Sequence, residues 1–487
     1  MPVIAVAVLV GGSQIGRDLA TPEFPATLWR AAGLGTLILV VFVAPAARPA
    51  LVVAASLVFG VAAGAVAERR AIWDGEPPPR YAIPMRVILQ ADPDGHPFAQ
   101  SVPATTVRVG DRKIERTVVL RASERVALRL ALLRLGDRVD LVGRVDTAAV
   151  RDRFDSGPPA AAEIEVDALL ALRPATQWYR RAGDQLRGAV EGGADRMADR
   201  DRALLLGFLL GDTRAIDRIT IEQFRAAGLT HLLAVSGANV AFVLALVGPA
   251  LRRSPIVFRS IAGGLVVLVF AAATRFEPSV LRASAMAAVV MAARMSGRSV
   301  TPLRSLLLAV YALLAWDADL FGSVGFRLSV VATGGIALFA GPIRERLRGP
   351  LAAREALAVT AAAQIAVAPL LVVEFGSFPL AGLGANLLAA PLAEPLTMYG
   401  MVAAPLAGWL PIRAGALVMG PCALLLDAVR AIAAVASHVP LRVDRAGLSV
   451  GTGVVIAVAM ARSGRRQSAT SPVENPTSRE GAVEGAG

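Results

Sequence analysis

The stretch "GLTHLLAVSGANVAF", Gly228 to Phe242, is apolar enough for a lipid bilayer, yet it carries His231, Ser236, Gly237 and Asn239. Three chemistries use such residues. The first is a serine nucleophile with a histidine base. On one continuous helix Ser236 and His231 stand five positions apart, roughly 140° around the axis. They would not face each other, so this reading needs a helix break at Gly237. The second is adhesion between helices, where Ser, Gly and Ala permit close approach and polar groups hydrogen-bond across the contact. It accounts for Ser236, Gly237 and Ala238 better than for His231. The third is a polar pathway, because ionisable groups at membrane depth face water or a partner.

The third reading gains from other residues of the same kind. Arg282 lies in "PSVLRASAM" and Arg327 in "GFRLSVVATGG". Asp427 and Arg430 are three apart in "LLLDAVRAI", a spacing that pairs them on one helix face. Glu374 and Glu394 flank a Gly- and Pro-rich stretch. Metal chemistry is poorly supplied: Cys422 is the single cysteine, and His96, His231 and His438 are far apart. No cofactor is expected, and no "GxxxxGK[ST]" phosphate loop is present.

These residues need elements to hold them. The chain has 487 residues with a mean hydropathy of +0.58, too apolar for a soluble protein of this size. Apolar segments near 2–16, 31–46 and 49–67 open it, giving an N-terminal membrane region of 1–70. From 71 to 175 the character changes. "YAIPMRVILQ", "ATTVRVG", "IERTVVLRA", "GDRVDLVGRVD" and "AEIEVDALLAL" alternate polar and apolar residues between turn signals. Five strands in that length fit a small OB-like barrel, with a sandwich as the alternative. Residues 176–227 mix charge with apolar stripes and read as amphipathic helices, lying along the interface or forming a short helical hairpin. From 228 to 462 spans are expected near 229–250, 256–273, 279–296, 301–316, 321–341, 356–375, 379–410, 414–437 and 447–462. The 379–410 stretch reads as two short helices around a re-entrant break, tolerable only beside protein or water. Residues 463–487 read as a disordered tail. The fold expected is a polytopic α-helical membrane protein with an inserted OB-like β-barrel domain.

Charge placement orients it. Arg252 and Arg253, then Arg294, Arg298 and Arg304, then Arg344, Arg346, Arg348 and Arg354 mark alternate connections. The positive-inside rule makes those loops cytoplasmic. The barrel is then extracytoplasmic, and the C-terminus cytoplasmic. Net charge is +12, nearly all from arginine, with Lys113 the single lysine. Charge alone does not decide between basic loops and a nucleic-acid partner.

The motifs together resemble the ComEC-type competence proteins, inner-membrane channels for DNA uptake. "GLTHLLAVSGANV" is similar to their hallmark segment. "LLLGFLLGDTRAI", "PSVLRASAM", "DADLFGSVGFRLSVVATGGI" and "AAAQIAVAPLLVVEFGSFPLAGLGANLLAAPL" are similar to further elements of the family in the same order. Two positions depart from it. Asn239 stands where the family has a second histidine, and Arg327 where it has glutamine. Asn hydrogen-bonds but does not titrate near neutrality. Many relatives continue into a metallo-β-lactamase-like domain, whose "H-x-H-x-D-H" signature is not found here, so a core-only member is expected.

The resemblance implies a conduit for single-stranded DNA in the cytoplasmic membrane, without catalysis in this chain. It implies His231, Ser236, Gly237, Asn239, Arg282, Arg327 and Asn386 as path-lining candidates. It also implies a separate DNA receptor, a cytoplasmic motor ATPase and a separate nuclease as partners. DNA binding rests mainly on backbone charge, with bases stacking on aromatics. The 71–175 segment offers 15 Lys and Arg against 15 Asp and Glu. Arg108, Arg112, Lys113, Arg116 and Arg121 form the candidate outer DNA-contacting surface, with a solvated, charge-mixed surface as the alternative. The alternative is a carrier of a smaller anionic solute or lipid on the same fold, with an intramembrane hydrolase behind it.

Overall fold

The computed structural model describes residues 81–96, 99–146, 161–379, 381–439 and 442–444. The spans expected near 2–16, 31–46, 49–67 and 447–462, and the tail 463–487, lie outside the described residues.

Alternation of apolar residues builds the first unit. In β1 (Ile83–Leu89), Met85, Val87 and Leu89 are buried, and the residues between them are not. β2 (Asp94–His96), β3 (Ala99–Val109), β4 (Thr117–Ser123), β5 (Arg138–Asp146) and β6 (Ala162–Arg173) follow, with helix α1 (Glu124–Leu130) between β4 and β5. The sheet order is β1-β5-β6-β4-β3-β2, and β1 also pairs with β3. Five strands therefore close into a barrel, with β4 and β6 parallel and the other pairings antiparallel. This is the OB-like barrel expected, not a sandwich. Val87, Val102, Val118, Leu120, Val139, Leu141 and Ile164 fill it.

The register distinguishes the two ends. Leu89, Ser123, Arg138 and Arg173 lie at one end, with α1 across it. Met85, Val109, Thr117 and Ala162 lie toward the other.

The helical unit begins with α2 (Trp178–Ala194), α3 (Asp199–Leu210) and α4 (Arg218–Ala226). Helix α3 is more buried than an amphipathic pattern implies. Ala203 through Leu210 are all buried, because beyond its charged first turn this helix is apolar all round and packs inside protein. Its leucines meet Ala389, Ala393, Ala403 and Ala404 of α12 (Ala381–Trp409), and Cys422 and Leu426 of α13 (Ile412–Ser437), in the largest core. Between them run α5 (Thr230–Leu233), α6 (Gly237–Leu251), α7 (Ile256–Ala273), α8 (Pro278–Met295), α9 (Pro302–Trp316), α10 (Val324–Arg346) and α11 (Leu351–Phe375). A short β7 (Ser377–Pro379) pairs with β8 (Arg442–Asp444).

Among the described residues, α7, α10, α11, α12 and α13 are long and apolar enough to cross a membrane. The apolar α6 and α9 are shorter. Helix α8 has 18 residues, but its arginines and serines leave it less apolar.

Two expectations about continuity are reversed. The 379–410 stretch is one helix of 29 residues that runs through Pro391, Pro395 and Pro405. Each proline removes one N–H and strains one turn, yet the alanines beside them pack into the main core and hold the helix through. The 229–250 span, expected as one helix, is two. Leu233 ends α5, Ala234 is extended at ψ 141°, and Ser236 at ψ 146° caps α6.

Candidate functional site

The break in "HLLAVSGAN" is held by its neighbours. The Ser236 hydroxyl accepts from the Ala238 N–H at 3.1 Å, the N-cap contact that starts α6. The Ser279 hydroxyl, in the first turn of α8, donates to the Val235 carbonyl. Arg282, three residues further on the same face of α8, covers Gly237. A Cβ on Gly237 would collide with the guanidinium Nη2, so glycine there makes room for the cation.

A second crossing places the histidine. Gly228 has φ +71°, and a Cβ on it would lie 3.0 Å from the Cα of Gly382. Only glycine combines that backbone angle with so close an approach. The crossing brings α5 against the start of α12. There His231 Nε2 lies 3.1 Å from Asn386 Oδ1, and the Asn386 amide donates to the Thr360 hydroxyl of α11 at 3.4 Å. His231 and Ser236 stay exposed, while Leu233, Val235 and Asn239 between and beside them are buried.

The two arginines differ. Arg282 is 8% exposed, donates to the Thr333 hydroxyl of α10, and lies near the Met286 sulfur. Its Nε is buried without a hydrogen-bond partner. It stands in a crevice of about 310 Å³ walled by Gly237, Ala238, Ala241, Leu244 and Met286. Arg327 instead donates to Glu374 of α11 at 2.7 Å, so its charge is matched and it clamps α10 to α11. Arg430 bonds Asp427 on its own helix, as the spacing indicated, and also Asp201 of α3 at 2.7 Å.

The expected basic cluster on the barrel divides. Arg108, Arg112, Lys113 and Arg116 gather around the β3–β4 turn, at the end away from the helices. Arg108 sits 3.6 Å from Asp111. Arg121 is separate, mid-strand and ion-paired with Glu163. The stripe across adjacent strands is therefore a rim, because register sets Arg121 several residues below the turn.

The opposite end of the barrel is locked to the helices. Asp92 accepts from Arg275 Nε at 2.8 Å, Asp184 of α2 accepts from Arg275 Nη1 at 2.5 Å, and Arg134 reaches Asp184 at 3.4 Å. Arg275 and Phe276, between α7 and α8, have φ +57° and +55°, a strained conformation for non-glycine residues. The ion pairs and the edge-on contact of Phe276 with Tyr179 hold it. Asp212, on the loop after α3, takes bonds from both Arg187 and Arg214. Burial alone would raise its pKa. The Arg214 hydrogen bond and the charges of Arg214 and Arg187 outweigh that and bring it down to about 2.

Of the residues singled out in the sequence, the structure brings His231 to Asn386 and Gly237 to Arg282 and uses Ser236 as a helix cap, while the partners Ser279, Thr333 and Thr360 were not singled out. Ser279 was legible, sharing a helix face with Arg282. The lone hydroxyls of Thr333 and Thr360 carry no local signal, nor does the pairing of Asp92 with Arg275.

A family model described as competence protein matches residues 208–465, just over half of the chain. Nothing among curated proteins or solved structures matches it.

Proposed function

The chain belongs to the competence-protein family, and from that premise we propose that it conducts single-stranded DNA across the cytoplasmic membrane during DNA uptake. The observation that carries the reading is the break between α5 and α6. It leaves His231 and Ser236 exposed amid membrane helices, with Asn386 and Thr360 brought to His231 and Arg282 brought to Gly237. Such polar groups at depth are costly in lipid and suit a wet path. Asn239 and Gly237 shape the turn, and Arg282 adds positive potential for an anionic strand. Arg327 belongs to the wall through Glu374.

In this reading the barrel is extracytoplasmic and the chain does no catalysis. A separate receptor delivers DNA, a motor ATPase supplies work, and another protein degrades the opposite strand. The hydrolase alternative loses support because, among the described residues, His231 Nε2 lies against Asn386 rather than Ser236, whose hydroxyl caps α6. A carrier of a smaller anion is supported only by the apolar walls around Arg282.

The test is uptake of labelled DNA in the native host. Strains carrying the wild type, a deletion, His231→Ala and Arg282→Ala are compared at matched protein levels. Cytoplasmic label should vanish in the deletion and fall in both variants. Unchanged uptake in the deletion would remove DNA as the cargo.

A further inference from the structure

The end of the barrel that meets the helices has more apolar surface than the ion pairs cover. Leu132 is 81% exposed, Leu170 59%, Leu128 47% and Leu172 40%. Leu128 lies on α1, Leu132 in the turn after it, and Leu170 and Leu172 near the end of β6. Strand register puts Leu170 and Leu172 at the end holding Arg138 and Arg173, and α1, which follows Ser123 across that end, brings Leu128 and Leu132 there. Trp178, 54% exposed, opens α2 directly below. Four exposed leucines and a tryptophan at one end of a small charged barrel form a patch that marks an interaction surface.

The occupant follows from where the patch sits. Arg134, two residues after Leu132, is bonded to Asp184 of α2, and Arg275 at the α7–α8 turn holds Asp92. Helix α7 is long and apolar enough to cross a membrane, so the turn at its end marks the membrane boundary on the barrel's side. The leucines therefore lie at the level where the hydrocarbon region meets the headgroups, which is also where Trp concentrates. The charge around them agrees. Arg125, Arg129, Arg138 and Arg173 are exposed at this end. Arg138 and Arg173 stand directly opposite each other in the ladder, and the nearby Asp140 carboxylate, already paired with Arg86, offsets only part of that like-charge pairing. Basic residues beside an apolar surface are what anionic lipid headgroups attract.

We propose that this rim of the barrel rests in the outer part of the bilayer, its leucines among the upper acyl chains and its arginines on anionic phospholipid headgroups. The barrel is then fixed in height and tilt by lipid as well as by the ion pairs. Its opposite, basic rim around Lys113 is held away from the membrane.

The full-length protein is reconstituted in vesicles of phosphatidylethanolamine and phosphatidylglycerol carrying a nitroxide-labelled lipid. A fluorophore is attached at Leu132→Cys, at Leu170→Cys or at Lys113→Cys. The native Cys422 is buried, so the labelled parent chain sets the background. Lipid-borne nitroxide should quench the labels at 132 and 170 and leave 113 bright, while aqueous iodide should do the reverse. Two positions on separate elements guard against one variant failing to fold. Labels at 132 and 170 that iodide quenches and lipid nitroxide does not would overturn the proposal. So would labels shielded from both quenchers, or shielding that rises with protein-to-lipid ratio, since either would put protein on the patch.

Discussion

His231 Nε2 lies 3.1 Å from Oδ1 of Asn386, across 155 positions of sequence. The contact joins a four-residue helix to one of 29 residues, and it exists because Gly228 and Gly382 let the two backbones touch. An interhelical polar bond in a membrane protein contributes about 0.6–2 kcal/mol. Asn386→Ala and His231→Ala should each lower DNA uptake, and the double variant should lose little more than the worse single one. Uptake measured in all three strains checks this. Fully additive losses would mean the two side chains act separately.

Gly237→Ala should disturb function more than folding. The added methyl meets chiefly the end of a flexible guanidinium, which can swing away, and lies 3.2 Å from the Ala283 Cβ, so the thermal midpoint in detergent should fall only modestly. Uptake should fall because Arg282 leaves the break. Gly237→Ala with normal uptake would show that the position of Arg282 does not matter.

Arg327 and Glu374 should behave as a pair. Arg327→Ala leaves the Glu374 carboxylate, 22% exposed, without its cation. Breaking a buried pair from one side costs about 3–5 kcal/mol. Combining Arg327→Gln with Glu374→Gln should restore most of the stability. Thermal unfolding of the purified variants decides the point. A double variant as unstable as Arg327→Ala would refute the pairing.

Acid should loosen the loop after α3. Asp212 has its folded pKa lowered to about 2, against about 3.9 for an unfolded aspartate. A depressed carboxylate pKa stabilises the fold above the unfolded value, and that stability is lost as pH falls through the folded one. The gain, on the order of 2 kcal/mol, should be constant above pH ~5 and disappear between pH ~4 and ~2. Asp212→Asn should abolish this part of the acid dependence in melting curves. A variant that melts with the wild-type pH profile would contradict it.

The distal rim of the barrel should hold DNA through charge alone. Replacing Lys113 and Arg108 with glutamate should weaken binding of a single-stranded oligonucleotide to the reconstituted protein, whatever its sequence. The slope of log affinity against log salt should flatten by about 0.7 for each phosphate that the variant no longer neutralises. Equal slopes for variant and wild type would place DNA binding elsewhere.

Much of this was legible in the chain itself. Alternation in "IPMRVIL" and "TVVLRAS" marks strands because side chains in a strand point to opposite faces in turn. The apolar runs mark spans because lipid demands some 20 such residues. The polar residues of "THLLAVSGAN" announce a site because their cost in lipid needs an explanation. All three are local signals, carried by neighbours in sequence. Continuity was not legible. "PLAEPLTMYG" reads as a break and is helical, since burial of its alanines outweighs its prolines. "LLAVSGANV" reads as continuous and breaks, since Ser279 and Arg282 from another helix hold the turn.

By itself the sequence determined which residue types stand ready: a histidine, two arginines and two asparagines in membrane helices, and a charge-balanced barrel in front of them. The tertiary structure alone decided their partners. It matched Arg327 to Glu374 and, among the described residues, gave Arg282 a threonine hydroxyl rather than a carboxylate. It set His231 on Asn386, and placed the barrel's basic rim at one end and its leucines at the other. Those outcomes depend on contacts between residues tens to hundreds of positions apart, whose energies no stretch of neighbouring residues encodes.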